Sequence, residues 1–395
     1  MALKHNERLI FRGRLFPDGR PTVIEIADGR IARINQVDAL DEPVGTQRWL
    51  SPGFCDIQIN GFAGRDFCSP DLQPEDVKGI AEAVFKTGTT RFLATIITNS
   101  LDTLCHQAAT IAEAMDRDPF VRRSCVGIHL EGPFLNPEDG PRGAHPREHI
   151  RPPSIPDFER VQEAARGRVA LLTLAPEQPG AEALIRHAAS KNVIVSLGHH
   201  GADWPAITKA VEAGARLCTH LCNGSHATLP RLNNYIWHQL AEDRLWASFI
   251  ADGHHIPPTT LRSVFRAKTP ARAILVTDAI SAAGMPPGRH HLGRMEVELT
   301  KEHKVVLPET PYLAGSAADM PWTIRHAITD GCVSLADALR MTTINPRALL
   351  RRYIQPWTMR PGAEADLVEF LWRAEPDGLS VRQTILGPYS GVNGA

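Results

Sequence analysis

The sequence predicts an α/β protein: a (β/α)8 TIM-like barrel carrying a small β-sandwich built from the two ends of the chain. Three observations lead there. Between about residues 52 and 356, short apolar runs alternate with amphipathic stretches seven or eight times, as buried parallel strands alternate with the helices that cross back over them. Both ends of the chain read instead as short strands and turns. Polar residues fall at the C-terminal ends of the apolar runs, the face of a barrel where loops converge on an active site.

Taken in order, ERLIFRGRLF and PTVIEIADGRIARI open the chain as strands, with Asp28-Gly29 as a hairpin turn. After Pro52 the pattern changes to FCDIQING, PEDVKGIAEAVFKTG, TRFLATIIT, LDTLCHQAATIAEAMDRD and CVGIHLEGPF. It continues through RVALLTLAPE, EALIRHAASKN, VIVSLGHH, WPAITKAVEAG, ARLCTHLCN, LWASFIADG, TLRSVFRAK and AILVTDAI, and closes with LADALRMTTINPRALL. Seven or eight such units favour a closed barrel over an open sheet. Past Pro361 the strand pattern returns in ADLVEFLW and SVRQTILG. The expected domains are residues 1–51 plus 357–395 for the sandwich and 52–356 for the barrel.

Composition narrows the function classes. Hydrophobic residues make up 43% of the 395 and charged residues 22%, near the globular average, which excludes a disordered or collagen-like chain. Net charge is −1, so no basic field points to nucleic acid. No apolar run approaches the roughly 20 residues of a membrane helix, and MALKHNERLIFRGRLF lacks a secretory pattern. A cytoplasmic location is expected. Seven cysteines without a Cys-x-x-Cys pair read as reduced, mostly buried thiols.

The chemistry-bearing residues sit on successive strands. IHL ends in Glu131, VIVSLG in His199, LCT in His220, SFIA in Asp252 with His255 beyond, and AILVT in Asp278. Singly, each has a plain structural reading: a packed histidine, a helix-capping aspartate, an ion-paired glutamate. Together, a carboxylate and two imidazoles suit a divalent transition metal with a position left open for water. A metal so held acidifies water for attack on a carbonyl carbon, and a second carboxylate is then needed to carry a proton to the departing amine. Asp278 suits that post. His187, His238, His303 and His326 lie in helical or loop stretches and read as surface.

HLEGPFLNPEDGPRGAHP, LGHHGADW, THLCNG, ADGHH, LVTDAISAAG and LAGS, in this order, resemble the N-acetylglucosamine-6-phosphate deacetylases of the amidohydrolase superfamily. The likeness runs from SPGFCDIQINGFAG to PGAEADLV, nearly the whole chain. It implies Glu131, His199 and His220 as metal ligands and Asp278 as general base and acid. It implies that His145 and His255 contact the sugar and its amide, and that Asn223 and Gly224 help hold the substrate's polar groups. A homodimer and a small amino-sugar substrate are implied as well.

Two departures qualify the likeness. Many amidohydrolases carry His-x-His on the first barrel strand and hold a second metal; here Gln58-Ile59-Asn60 stands there, and neutral amides compete poorly for a transition metal. One ion is expected, zinc first and iron second. Relatives follow the Asn with a segment ending in Arg-Glu-Pro-Gly, whereas this chain reads NGSHATLPRLNNYIWHQL. Arg231 stands where a phosphate-binding Arg belongs, or is an ordinary loop arginine. The expected reaction is hydrolysis of the acetamide of N-acetylglucosamine 6-phosphate. The alternatives are a related amidohydrolase for another N-acyl or cyclic amide, acting with or without phosphate, and a metal-free sugar-binding or scaffold protein.

Overall fold

In the computed structural model, residues 2–3, 7–42, 44–310, 312–373 and 378–392 are described. The outermost residues of the expected sandwich, 1 and 395, lie outside them. Among the described residues eight parallel strands follow one another round a barrel: Phe54–Ile59, Thr89–Ile97, Cys125–Glu131, Val169–Leu174, Ile194–Leu197, Ala215–Cys218, Trp246–Ile250 and Ala273–Val276. Helices such as Pro74–Lys86, Leu101–Arg117 and Trp204–Ala213 return the chain between them. Strand Val169–Leu174 is buried at every position, which is why these strands read as unbroken apolar runs rather than as an alternation. Helix starts follow the expected chemistry: the Ser100 hydroxyl accepts from the Thr103 N–H, and the Asp203 carboxylate from the Ala206 N–H.

The barrel closes at its mouth. Past the eighth strand, the Asp278 N–H donates to the Gln58 carbonyl (3.0 Å) and the Asn60 N–H to the Ala279 carbonyl (2.8 Å). The seam between first and eighth strands is therefore tied by the segment that carries Asp278.

The two chain ends share one seven-stranded sheet among the described residues. Its order is Tyr389–Val392, Gly378–Leu386, Asp366–Arg373, Gln47–Pro52, Arg8–Leu15, Arg20–Ala27, Arg30–Gln36. Ile31 on one edge strand and Ile385 near the other edge join a single apolar core with Phe11, Ile24, Leu50 and Leu367. The Asp28-Gly29 hairpin forms as expected, both residues having positive φ (49° and 74°). Gly29 is needed twice over, since a Cβ there would lie 2.4 Å from the Gly387 carbonyl carbon.

One region was not anticipated. After the eighth strand, a three-stranded antiparallel sheet (Gly288–Leu292, Met295–Leu299, Val305–Val306) packs through Val297 and Leu299 on Ile280 and Ala282. Among the described residues no helix is long and apolar enough to cross a membrane. All seven cysteines are free thiols, and Cys55, Cys68, Cys125 and Cys218 are buried.

Candidate active site

Of the side chains picked out at strand ends, Glu131, His199, His220, His255 and Asp278 converge on a cavity of about 260 Å³ at the C-terminal mouth of the barrel, while Asp252 stands behind His255. Glu131 closes the third strand, and His199, His220 and Asp278 each lie two residues past the fifth, sixth and eighth strands. Each of those three has a positive φ, 54°, 28° and 51°, a turn that swings the side chain out of the strand direction. Such conformations are costly for most residue types and gather at functional sites.

Glu131 Oε1 lies 3.2 Å from His199 Nε2 and 2.9 Å from His220 Nε2, and the two ring nitrogens are 3.1 Å apart. All three residues are buried. His199 Nδ1 sits 2.8 Å from the Pro141 carbonyl, which can only accept, so Nδ1 bears the proton and Nε2 presents a lone pair. That lone pair faces a carboxylate oxygen at close range. A set of acceptors converging in this way, with an outer carbonyl fixing one ring's tautomer, fits a divalent cation. Burial raises Glu131, but the close pairing with His199 and His220 outweighs it and holds the carboxyl well below its ordinary range.

Gly224 passes directly over His199. A Cβ on it would meet His199 Nδ1 at 2.6 Å, at a φ of +56°, so only glycine lets the chain run there. His145 packs on the other side, with Nε2 3.3 Å from His199 Nε2 and Nδ1 2.8 Å from the Thr98 hydroxyl. Burial, reinforced by the neighbouring His199, pushes His145 well below the usual imidazole range, so it is neutral at pH 7.

Asp278 Oδ1 accepts from Asn60 Nδ2 (2.8 Å) and from Gln58 Nε2 (3.1 Å), and Gln58 Nε2 also reaches Glu131 Oε1 (3.0 Å). Through Gln58 and Asn60, the Asp278 carboxylate is thus tied to Glu131 and to the first strand. Burial first, then the charge of Glu131, raises Asp278 to about 6, a useful range for a group that must take and return a proton near neutrality.

His255 lines the cavity with its Nδ1 2.7 Å from Asp252 Oδ2, leaving Nε2 for a ligand. Asp252 also accepts from the N–H groups of His254 and His255. Burial would raise Asp252, but the His255 charge and these hydrogen bonds hold it well below the ordinary value. Asn223 lines the same cavity, its Nδ2 donating to the His220 carbonyl at 3.2 Å. Arg231 does not join them. It is exposed in the segment before helix Tyr235–Ala241 and is absent from the cavity wall, and among the described residues no arginine or lysine lines that wall.

The sequence pattern of the Amidohydrolase family matches residues 49–389. The chain belongs to the amidohydrolase family. Among similar relatives, the zebrafish (Danio rerio) N-acetylglucosamine-6-phosphate deacetylase is 34% identical over 85% of this chain and 83% of its own length. The Escherichia coli O157:H7 N-acetylgalactosamine-6-phosphate deacetylase is 32% identical over 91% of this chain and 92% of its own. Among solved structures, the Mycobacterium smegmatis N-acetylglucosamine-6-phosphate deacetylase in complex with N-acetyl-D-glucosamine-6-phosphate superposes with a TM-score of 0.85. It is 25% identical, covering 98% of this chain and 100% of that one.

Several residues of this amidohydrolase site were not legible as such. Gln58 and Asn60 read as missing ligands, and their role in holding Asp278 needed the closed seam. Leu292, Tyr312 and Leu313 also line the cavity, brought there by the unanticipated sheet. A signal for that sheet was available: GRHHL and MEVEL flank the two-residue turn Gly293-Arg294, which reads as a hairpin.

Proposed function

We propose that this amidohydrolase cleaves the acetamide of an N-acetylhexosamine 6-phosphate, N-acetylglucosamine 6-phosphate foremost, to acetate and the free amine. The observation that carries the reading is the buried Glu131–His199–His220 set with Asp278 linked to it through Gln58. A divalent cation held by those ligands supplies Lewis acidity toward the amide carbonyl and acidifies water. Zinc is our first assignment and iron the second, with one ion per chain.

Asp278 takes the proton from the attacking water and returns it to the amide nitrogen so that the amine leaves. His145 and His255 orient the acetamide and the sugar, His145 being placed to donate to the developing oxyanion. Ile97, Ile250 and Leu313 give the acetyl methyl an apolar wall. Asn223 and Gly224 bound the sugar's polar edge. For the phosphate, which among the described residues finds no cation in the cavity wall, we assign Arg231, exposed in the segment that follows Asn223 and Gly224. We further read the protein as a cytoplasmic homodimer.

The galactosamine epimer is a second reading, because relatives named for it match over as much of the chain. Acetate release from N-acetylglucosamine, N-acetylgalactosamine and both 6-phosphates tests the assignment. A 6-phosphate should be preferred, and Arg231→Ala should raise KM for it alone, by a cost of about 1.5–3 kcal/mol for a charge-assisted contact. Equal rates with and without phosphate would remove the phosphate from the proposal, and no acetate from any of the four would remove the deacetylase reading.

A further inference from the structure

A second and larger cavity, about 890 Å³, lies on the opposite face of the barrel, where its floor meets the small domain. Arg91 enters it from the start of the second strand, Arg122 and Arg123 from helix Pro119–Ser124, and Arg347 from helix Ile344–Leu349. Arg30 and Arg360 enter from the small-domain side, with Glu364 and Asp366 as the carboxylates of the wall. Six guanidinium groups thus face two carboxylates, a surplus of four positive charges in one cleft.

The carboxylates are already engaged. Glu364 accepts from Arg123 at 2.6 Å and faces Arg91 at 3.6 Å, while Asp366 Oδ2 lies 3.3 Å from Arg91 Nε and 3.0 Å from Arg347 Nη2. Among the described residues no carboxylate pairs with Arg30, Arg122 or Arg360; Arg30 donates to the Gly362 carbonyl and Arg122 to those of Met115 and Asp116. Arg347, whose side chain is 6% exposed, has an Nε–H without a hydrogen-bond partner, and so has Arg123. A buried guanidinium N–H left unpaired is costly, and crowded like charges add to that cost. An anion in the cleft relieves both.

We propose that this floor cleft binds a small anion carrying two or more phosphate groups. Guanidinium forks match phosphate oxygens two at a time. One phosphate, at about −1.5 to −2, would leave half or more of the surplus unmatched and much of the volume unfilled. Tyr353 and Trp357 line the same cleft and give the carrier's uncharged part an aromatic surface. The site is separate from the catalytic mouth and does not depend on the reaction assigned there.

The test is calorimetric titration of the full-length, metal-loaded protein with fructose 1,6-bisphosphate, a bisphosphate probe that chelates metals weakly. Inorganic phosphate is titrated in parallel. The bisphosphate should bind more tightly than phosphate, and Arg30→Glu/Arg360→Glu should weaken it at least about tenfold with deacetylase turnover and melting temperature kept. Hydrogen–deuterium exchange should slow across residues 353–366 on binding. If the double variant folds poorly, Arg30→Gln/Arg360→Gln gives the same comparison without charge reversal. Equal affinity in the variants, no binding, or slowed exchange confined to the catalytic loops would overturn the proposal.

Discussion

Asn60 Nδ2 donates to Asp278 Oδ1 at 2.8 Å across the seam where the barrel closes. The hydrogen bond stabilises the ionised carboxylate against the burial and the Glu131 charge that raise Asp278 to about 6. Asn60→Ala removes a donor to the charged form, so the Asp278 value rises further. With Asp278 as the base of the proposed reaction, the acidic limb of the kcat profile should move to higher pH, with the plateau little changed. A pH–rate series on both proteins decides; an unmoved limb would detach that limb from Asp278.

Asp278→Asn and His199→Ala should fail in different ways. Asp278→Asn keeps shape but cannot accept the proton, so it should fold and retain about one metal ion per chain. Its turnover should fall by something like 10²–10⁴-fold, the usual worth of a general acid–base group. His199→Ala should lose metal and activity together. Elemental analysis after dialysis, beside acetate release, separates them. Two retained ions in the wild type, or near-normal turnover of Asp278→Asn at full occupancy, would break the assignment.

Gly224→Ala tests the close approach to His199. The new methyl group would sit 2.6 Å from the ring's Nδ1, forcing the ring from the Pro141 carbonyl that orients it. Metal affinity should drop by roughly 10–100-fold, as for lost outer-shell partners elsewhere. Competition with a chromophoric chelator reads this directly, and unchanged affinity would show that the ring has room to yield.

Asp56 predicts a pH-dependent stability. It is buried on the first strand, accepts from Thr277 and the Gln58 N–H, and burial raises it to about 7. Unfolded, it titrates near about 3.9. Between those values the folded chain keeps a proton that the unfolded chain has released, so this position's contribution falls as pH rises from about 4 to about 7 and is flat above. Asp56→Asn should remove that slope, a difference on the order of a few kcal/mol across the window. Urea unfolding of both proteins through this range measures it; parallel curves would mean Asp56 ionises normally.

What could be read before folding, and what could not, follows from the range of the interactions. The seven or eight alternating apolar runs and the polar residues at their ends are local patterns, and Glu131, His199, His220 and Asp278 were picked out from them. The Asn60–Asp278 and Gln58–Glu131 hydrogen bonds join residues 218 and 73 positions apart, and no local pattern encodes which donor closes on which acceptor. Arg231 shows the converse. Its spacing from Asn223 matched an expected motif, and the side chain stands exposed outside the cavity wall, because spacing along a loop does not set where a side chain arrives.

The positive φ angles at His199, His220 and Asp278 restrict what this mouth can become. Left-handed backbone is tolerated by glycine and, among side-chain-bearing types, best by Asn, Asp and His. Two of those types bind metals or carry protons well, so backbone and chemistry select the same short alphabet at all three places. Glu131 sits within an extended strand and is free of that filter, so its position can accept longer or branched ligands. A lineage changing its metal or its reaction on this scaffold would find the third-strand position open to experiment and the other three nearly closed.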